Sequence, residues 1–152
     1  MTTIEEITIV HAPIDRVFDL ARSVEVHLAG NVHWGEQALA TGGVTSGLVG
    51  LGERVTWRAK HFGLWHELTS EITKMDLPFY FQDVQSHGIF RKMRHDHFFR
   101  SLSPAQTEMR DLFVFAAPVP LLGPLAEVLF LRRYMRNLLR ERNAAIQEAA
   151  AR

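Results

Sequence analysis

Histidine and aspartate recur in the second half of the chain, within segments that alternate polar and apolar residues. His95 and His97 stand two residues apart in FRKMRHDHFFRSL, and Asp111 lies in TEMRDLFVFA. An imidazole that is held by a carboxylate takes or gives a proton near neutral pH. These residue types therefore indicate a polar site that is able to perform acid–base chemistry or to recognise polar groups.

The strands that carry these residues must pair in a particular register if the side chains are to meet. A turn at Ser103-Pro104 that leaves Phe99 opposite Met109 also pairs His97 with Asp111. The same register pairs His95 with Phe113. Cross-strand neighbours on one face lie about 5 Å apart at Cβ, so these side chains are predicted to touch.

Two further turns extend the predicted patch. A turn around Gly88 places Asp83 beside His95 and Gln85 beside Met93, and a turn at Asp76-Leu77-Pro78 places Leu68 beside Asp83 and His66 near Gln85. A slip of one residue would turn a whole strand's set of side chains to the other face. The predicted patch contains His66, Asp83, Gln85, His95, His97 and Asp111.

Four interpretations of this patch remain open. Its histidines and aspartates satisfy one another structurally, or they recognise a polar group of a ligand, or they act as an acid–base pair with His95, His97 and Asp111 as catalytic candidates. A metal ion is the fourth interpretation, with two imidazoles and an aspartate as ligands. Because histidine pairs at this spacing are common in strands without metal, we predict neither a metal nor another cofactor.

The elements that position these residues follow from periodicity and turn signals. A strand is predicted over 4–11, a helix after Pro13 and a second short helix over Ser23 to Leu28. Strands are then predicted at 36–41, 53–61, 64–74, 79–87, 90–102 and 107–116. An amphipathic helix without internal Gly or Pro is predicted from about Pro124 to Ala150. Sequential strands with short turns form a meander, and the final helix must bury its apolar stripe on that sheet.

The join between the last strand and the last helix resembles a membrane span in length and apolarity, over Leu112 to Leu131. Pro118, Pro120, Gly123 and Pro124 interrupt it. Such residues break one helix into a strand, a turn and a new helix, so no membrane span is predicted.

Length and composition describe one globular domain over 1–152, with 47% hydrophobic and 22% charged residues. Seventeen basic and seventeen acidic residues balance, which argues against a nucleic-acid partner. Cysteine is absent, which excludes disulfides and a thiol nucleophile. The start, MTTIEEITIV, lacks the pattern of a signal peptide, so a cytoplasmic location is expected.

The order of elements and several stretches resemble the START-like superfamily, which is also called SRPBCC or helix-grip. The stretches that carry the resemblance are ITIVHAPIDRVFDLA, GLGERVTWRAKHFGLWHELTSEI, FYFQDVQSHGIFRKMRHDHFF, MRDLFVF and PLLGPLAEVLFLRRYMRNLLRER. Within the superfamily the chain looks closest to bacterial ligand-binding SRPBCC proteins and to polyketide cyclase/dehydrase-like sequences. The resemblance implies an α+β helix-grip fold of order β-α-α-β6-α, in which a curved antiparallel sheet of about seven strands wraps around the long C-terminal helix.

The resemblance also implies a cavity between the sheet and the helix that binds a small hydrophobic or amphipathic molecule, such as a lipid, a quinone or a polyketide-like compound. The alternative is a cyclase or dehydratase that uses the histidines and aspartates as acid and base, and a third possibility is a module that binds another protein. The residues expected to contact the ligand are Trp57, His66, Phe81, Asp83, Gln85, His95, His97, Phe99, Asp111, Phe113, Met135 and Arg142.

Aromatic and basic residues add two expectations. An aromatic inner wall, which is ordinary core in most of its positions, is predicted from Phe79, Phe81, Phe99, Phe113 and Phe115. Arg132, Arg136 and Arg140 step by four along the last helix and are predicted to be solvated beside Glu141 and Glu148, or else to touch anionic lipid transiently. The chain is expected to be a monomer or a homodimer.

Overall fold

The computed structural model describes residues 1–117 and 124–152 as one α+β unit. Three helices are present in this part of the chain: α1 (Ile14–Ala21), α2 (Val24–Gly30) and α3 (Pro124–Ala150). Seven strands are present: β1 (Thr2–Val10), β2 (Gln37–Ala38), β3 (Arg54–His61), β4 (Leu64–Asp76), β5 (Tyr80–His87), β6 (Lys92–Ser103) and β7 (Gln106–Ala116).

The strands form one antiparallel sheet in the order β1-β7-β6-β5-β4-β3-β2. Strands β2 to β7 are consecutive neighbours, as a meander requires, and β1 joins the far edge through pairs such as Ile4 with Phe113. The predicted fold, with about seven antiparallel strands and a long C-terminal helix, is confirmed. The second strand is shorter than the predicted 36–41, because the chain leaves β2 after two residues and turns into a short 3₁₀ helix at Ala40–Gly42.

The inner face of the sheet carries two apolar clusters with a polar band between them. One cluster includes Phe18, Phe81 and Phe99, with Ile146 of α3 packed against them. The other includes Ile4, Met93, Phe113, Phe115 and Leu139. Along β6 the inward positions therefore change from apolar to polar and back to apolar, and His95 and His97 occupy the polar band.

Helix α2 crosses α3 at close range because Gly30 has no side chain. A Cβ atom at Gly30 would lie 3.1 Å from the Cα atom of Arg142 and 3.2 Å from the Cβ atom of Ala145. This close approach places the end of α2 directly over the part of α3 that carries Arg142.

The turn between β3 and β4 is formed by Phe62 and Gly63, as predicted, and both residues have positive φ. Phe62 reaches α3, where its ring centroid lies 4.6 Å from that of Tyr134 and 5.7 Å from that of Phe130. The β3–β4 turn and the beginning of α3 therefore meet at one end of the sheet.

Three expectations about surfaces need correction or lie outside the described residues. Phe79 is 54% exposed at the β4–β5 turn, so it does not belong to the aromatic inner wall. The predicted break at Pro118, Pro120 and Gly123 lies outside the described residues, whereas α3 begins at Pro124 as expected. None of the described helices is both long and apolar enough to span a membrane.

The arginines of α3 contact β1 rather than Glu141 and Glu148. Arg136 and Arg140 place their Nε atoms 3.3 and 3.2 Å from the carboxylate of Glu6, and Arg132 donates to the carbonyl oxygen of Thr3. The predicted solvation is confirmed for Arg132 and Arg140, which are exposed, but the acidic partner of Arg136 and Arg140 is Glu6 of β1 rather than Glu141 or Glu148.

Candidate ligand cavity and its two polar clusters

A cavity of about 610 Å³ lies between the sheet and α3. Strands β3 to β7 form its floor, α3 covers it, and the junction between α1 and α2 closes one side. Most of its lining is apolar, from residues such as Val55, Leu68, Met93 and Leu138. A largely apolar cavity with a few converging polar groups is the usual construction of a small-molecule site.

The first polar group in the wall, which we call the inner cluster, consists of Asp83, His95, His97, Asp111 and Arg142. Nε2 of His95 lies 2.8 Å from Oδ1 of Asp111, and Nε2 of His97 lies 2.8 Å from Oδ2 of Asp83. Arg142 donates to Asp111 over 3.2 Å, and its other terminal nitrogen lies 3.2 Å from Nδ1 of His97. The five side chains thus form one continuous hydrogen-bonded network.

Strand register brings most of the inner cluster together. His97 pairs with Asp111, His95 pairs with Phe113, and Asp83 pairs with His95, as the turns at Ser103-Pro104 and Gly88 predicted. Helix α3 adds Arg142 from above. Its neighbour Asn143 donates to Oδ2 of Asp111 over 2.9 Å, so both carboxylate oxygens of that aspartate have donors.

Burial and neighbouring charges set the protonation of the inner cluster. Burial alone would raise the pKa of Asp111, but the charge of Arg142 and the hydrogen bond from His95 hold that pKa well below its ordinary value. The pKa of Asp83 is also lowered: the hydrogen bond from His97 and its charge outweigh burial. Burial, together with the charge of His97, lowers the pKa of His95 to about 4. At neutral pH, both carboxylates are therefore ionised and His95 is neutral.

His97 is the member of the inner cluster that lies between two carboxylates. A carboxylate lies at each of its ring nitrogens, with Asp83 2.8 Å from Nε2 and Asp111 3.3 Å from Nδ1. Two ionised carboxylates and one guanidinium leave the cluster one negative charge in excess when both imidazoles are neutral. Two carboxylates and the guanidinium of Arg142 therefore surround the His97 ring with charged groups.

Access to the cavity differs strongly among these groups. Asp83 keeps 20% of its side chain exposed, whereas Asp111 is 0% exposed and His97 only 2%. Asp83 is therefore the ionised group of the inner cluster that a ligand meets at the wall, and Asp111 acts from behind by holding His95, Arg142 and Asn143.

Nine of the twelve residues expected to contact a ligand line the cavity: Trp57, His66, Phe81, Asp83, His95, His97, Phe113, Met135 and Arg142. The other three do not. Phe99 is buried in the core against Phe18, and Asp111 lies behind the histidines. The side-chain amide of Gln85 donates to the carbonyl oxygen of Phe90 and accepts from its backbone N–H. Contact between any of these residues and a ligand stays a prediction.

The register predicted between β4 and β5 is wrong. Asp83 pairs with Ile72 rather than lying beside Leu68, and Gln85 pairs with Ser70 rather than lying near His66. The pairing is displaced by four residues, from Leu68 to Ile72, because β4 continues to Asp76 and pairs it with Tyr80 across a tight turn. The two irregularities, between Thr69 and Ser70 and between Ile72 and Lys74, each change the register by only one residue.

His66 consequently lies apart from the inner cluster. It pairs with Ala59 on β3, and its Nε2 atom lies 3.1 Å from the carbonyl oxygen of His61. It still lines the cavity, but in the part that is bounded by β3 and the beginning of α3.

A second polar group in the cavity wall, which we call the outer cluster, consists of His27, Glu36, His61 and Tyr134. Nδ1 of His61 lies 2.6 Å from the hydroxyl of Tyr134, and Nε2 of His27 lies 2.8 Å from Oε1 of Glu36. Burial lowers the pKa of His61, and the charge of Glu36 opposes that effect. Sequence reasoning missed this cluster because its members come from four separate elements that share no periodic pattern.

The inner cluster has the residue types of a metal site but a geometry that suits one poorly. Ligand atoms of Asp83, His95 and His97 lie within 4.8 Å of one another. The two imidazoles are stacked, however, with centroids 3.7 Å apart and planes 24° apart. Their lone pairs, which lie in the ring planes, therefore run side by side instead of converging on one point.

Comparison with solved structures identifies the fold. The chain has the helix-grip fold of the START superfamily, which is also called SRPBCC. No protein-family model matches the sequence. No curated protein matches it either.

Solved structures from bacteria and plants share this fold. The Zhui aromatase/cyclase from Streptomyces sp. R1128 is similar with a TM-score of 0.79 and 16% identity, over 99% of this chain and 94% of that one. A START superfamily protein from Mycobacterium smegmatis is similar with a TM-score of 0.74 and 10% identity, over 98% and 97% of the two chains. A major latex-like protein from Panax ginseng has a TM-score of 0.66 and 11% identity, over 98% and 97%. At these identities the similarity establishes the fold and nothing finer.

Proposed function

We propose that the protein binds a small, mainly apolar molecule with polar substituents in the cavity between the sheet and α3. The observation that carries this proposal is a cavity of about 610 Å³ whose apolar wall contains a buried network of charged groups. Lipids, quinones and polyketide-like compounds all belong to this chemical class.

Native mass spectrometry of the purified protein, followed by identification of any released molecule, tests the proposal directly. Binding of anilinonaphthalene sulfonate, followed by its fluorescence, provides a second measurement. Ala59→Phe places a ring in the cavity wall and should abolish dye binding, whereas Ala29→Phe on the exposed face of α2 should leave it unchanged. Equal dye binding by wild type and Ala59→Phe, with both folded, would argue against the cavity as the binding site.

A second candidate function is proton-transfer catalysis of the cyclase or dehydratase type. The position of His97 between two carboxylates favours it, and so does the structural similarity to an aromatase/cyclase. His95, His97 and Asp111 remain the catalytic candidates, and Asp83 joins them as the carboxylate at the wall. In an intramolecular aldol condensation, one carbon–carbon bond forms and one water leaves, and a His97–Asp83 pair would take a proton from carbon and return one to oxygen.

A linear aryl triketone serves as the probe for this activity, with ring formation followed by absorbance. Asp83→Asn and His97→Gln should lose the acceleration while still binding anilinonaphthalene sulfonate, which shows that the cavity is still formed. If the wild-type protein does not accelerate cyclisation of the triketone, the catalytic function is rejected and the binding function alone remains proposed.

Location and assembly complete the proposal. We expect a cytoplasmic protein that is a monomer or a homodimer, with no nucleic-acid partner and no more than transient contact with a membrane. Light scattering on a size-exclusion column measures the oligomeric state, and a larger assembly would contradict this expectation.

A further inference from the structure

Glu36 is a buried carboxylate whose hydrogen bonding is incomplete. Its side chain is 9% exposed, and Oε1 has no hydrogen-bond partner. Among the described residues, only Arg136 shares this property of a buried polar side-chain atom without a partner. Burying a carboxylate oxygen without a donor is unfavourable, so such a group in a folded protein needs an explanation.

The nearest side chain does not supply the missing donor. Nε2 of His27 lies 2.8 Å from Oε1 of Glu36, which is an ion-pair distance, but the two atoms do not form a hydrogen bond. Instead, the His27 ring lies flat on the Trp57 indole, with centroids 3.8 Å apart and planes 24° apart. The imidazole of His27 is thus packed between the Trp57 indole and the Glu36 carboxylate.

Glu36 lies in the wall of the cavity, where a ligand can supply the missing hydrogen-bond donor. Glu36, His27 and Trp57 all line the cavity. A carboxylate is thus combined with a flat aromatic wall, which suits a planar ring that carries a hydrogen-bond donor. A neutral hydroxyl fits better than an ammonium group, because moving a full charge from water into a largely apolar cavity is far more costly than moving a hydroxyl.

We infer that Glu36 is a specificity-determining residue that accepts a hydrogen bond from a hydroxyl group on an aromatic ring of the ligand. The inference rests on the proposed binding function and names the chemical group that one part of the cavity selects. Because Oε1 has almost no accessible surface in the empty protein, the Glu36 side chain rotates toward the cavity that it lines when the hydroxyl arrives. The hydrogen bond is charge-assisted, and such bonds are about twice as strong as neutral ones.

Two probes that differ only at one substituent measure the contribution of the hydroxyl group to affinity. Affinities of para-hydroxystilbene and para-methoxystilbene are measured by displacement of anilinonaphthalene sulfonate from wild type, Glu36→Gln and Glu36→Leu. We expect wild type to prefer the hydroxyl compound by about tenfold or more, as a hydrogen bond to a charged group implies. Both Glu36 variants should reduce that preference to less than about threefold. Glu5→Gln, which alters an exposed carboxylate paired with Arg110, is the control and should keep the wild-type preference.

The outcomes separate this inference from the function on which it rests. If wild type binds the dye and prefers the hydroxyl compound, and the Glu36 variants keep the same preference, the assignment of Glu36 is overturned while the cavity function stands. If wild type binds neither the dye nor either stilbene, the binding function fails and the inference fails with it.

Two measurements guard against a purely structural explanation. A carboxylate that serves a ligand rather than the fold predicts that Glu36→Leu melts no lower than wild type without ligand, so a large fall in the melting temperature would contradict the inference. In wild-type protein with ¹³C-labelled glutamate, the side-chain carboxyl resonance of Glu36 should shift on addition of para-hydroxystilbene and not of para-methoxystilbene. An unshifted resonance with bound hydroxyl compound overturns the inference without any variant.

Discussion

The inner and outer clusters line one cavity but satisfy their polar atoms differently. In the inner cluster, Asp111 accepts hydrogen bonds at both carboxylate oxygens, and His97 has a partner at each ring nitrogen. In the outer cluster, Glu36 retains an oxygen without a donor. The inner cluster is buried and the outer cluster partly so, but the Glu36 side chain is only 9% exposed, so little water reaches its carboxylate in place of a protein donor.

That difference indicates separate physical roles. A fully satisfied network of buried charges holds its groups in one arrangement, and removal of any member leaves a charge without compensation. A buried group without a partner raises the free energy of the protein alone. A ligand that supplies the missing partner removes this cost. We therefore expect variants of the inner cluster to change stability strongly and variants of the outer cluster to change ligand preference.

The largest effect is expected for Asp111→Ala. This change leaves Arg142 and the amide of Asn143 buried without their carboxylate, and breaking a buried ion pair in this way costs about 3–5 kcal/mol. Urea denaturation measures the change in the free energy of unfolding. Glu5→Ala, which removes a surface partner of Arg110, is the control and should cost less than about 1 kcal/mol. A similar small cost for Asp111→Ala would show that the inner network does not stabilise the fold.

The next effect is a pH dependence that belongs to His95. Its pKa is lowered from 6.5 to about 4 in the folded protein, so between these values the unfolded chain binds a proton that the folded protein does not. Stability therefore falls as pH decreases from about 6.5 to about 4, by about 3 kcal/mol at most for this group. The contribution of Asp111 is lost only at lower pH, because its pKa is lowered below that of an ordinary aspartate.

Urea denaturation at a series of pH values tests this assignment. His95→Gln should flatten the decline in unfolding free energy between pH 6.5 and pH 4. His33→Gln, at a position whose side chain is 52% exposed, should leave the decline as it is in wild type. Parallel curves for wild type and His95→Gln would contradict the role given to His95.

Gly30 links the two clusters, because α2 carries His27 and α3 carries Arg142. The Cβ atom that Gly30→Val adds would lie about 3 Å from atoms of Arg142 and Ala145, so the valine side chain overpacks the contact between the helices. We expect the free energy of unfolding to fall by about 1–3 kcal/mol. Ala29→Val, on the exposed face of the same helix, should cost less than about 1 kcal/mol. Equal losses for the two variants in thermal or urea unfolding would mean that α2 and α3 are not in tight contact.

The inner cluster was largely predictable from the sequence because local rules determine it. Alternation along β6 places His95 and His97 on one face, and the turn after Ser103, together with an irregularity between Ser101 and Ser103, sets their register with Asp111. The same reasoning failed between β4 and β5, where a tighter turn than predicted pairs Asp76 with Tyr80 and displaces the register by four residues. A single sequence does not show how far each strand continues into the turn, so His66 was placed in the wrong part of the cavity.

The outer cluster was not predictable for a different reason. The packing of α3 on the sheet brings Tyr134 to His61 at the end of β3. The packing of α2 beside the segment before β2 brings His27 to Glu36. Packing between non-consecutive elements depends on side-chain fit that a single sequence does not show. The outer cluster therefore needs a test of its own structural contribution.

Tyr134→Phe provides that test and has the smallest expected effect. It removes one hydroxyl that bonds to Nδ1 of His61 over 2.6 Å, in a site that is only partly buried. A single neutral hydrogen bond of this kind contributes about 1 kcal/mol, so the free energy of unfolding should fall by about that amount. The phenyl ring keeps its contacts with Phe62 and Trp34, so dye affinity should change less than about threefold. A loss of unfolding free energy near that of Asp111→Ala would show that both clusters support the fold equally, and would remove the division of roles proposed for them.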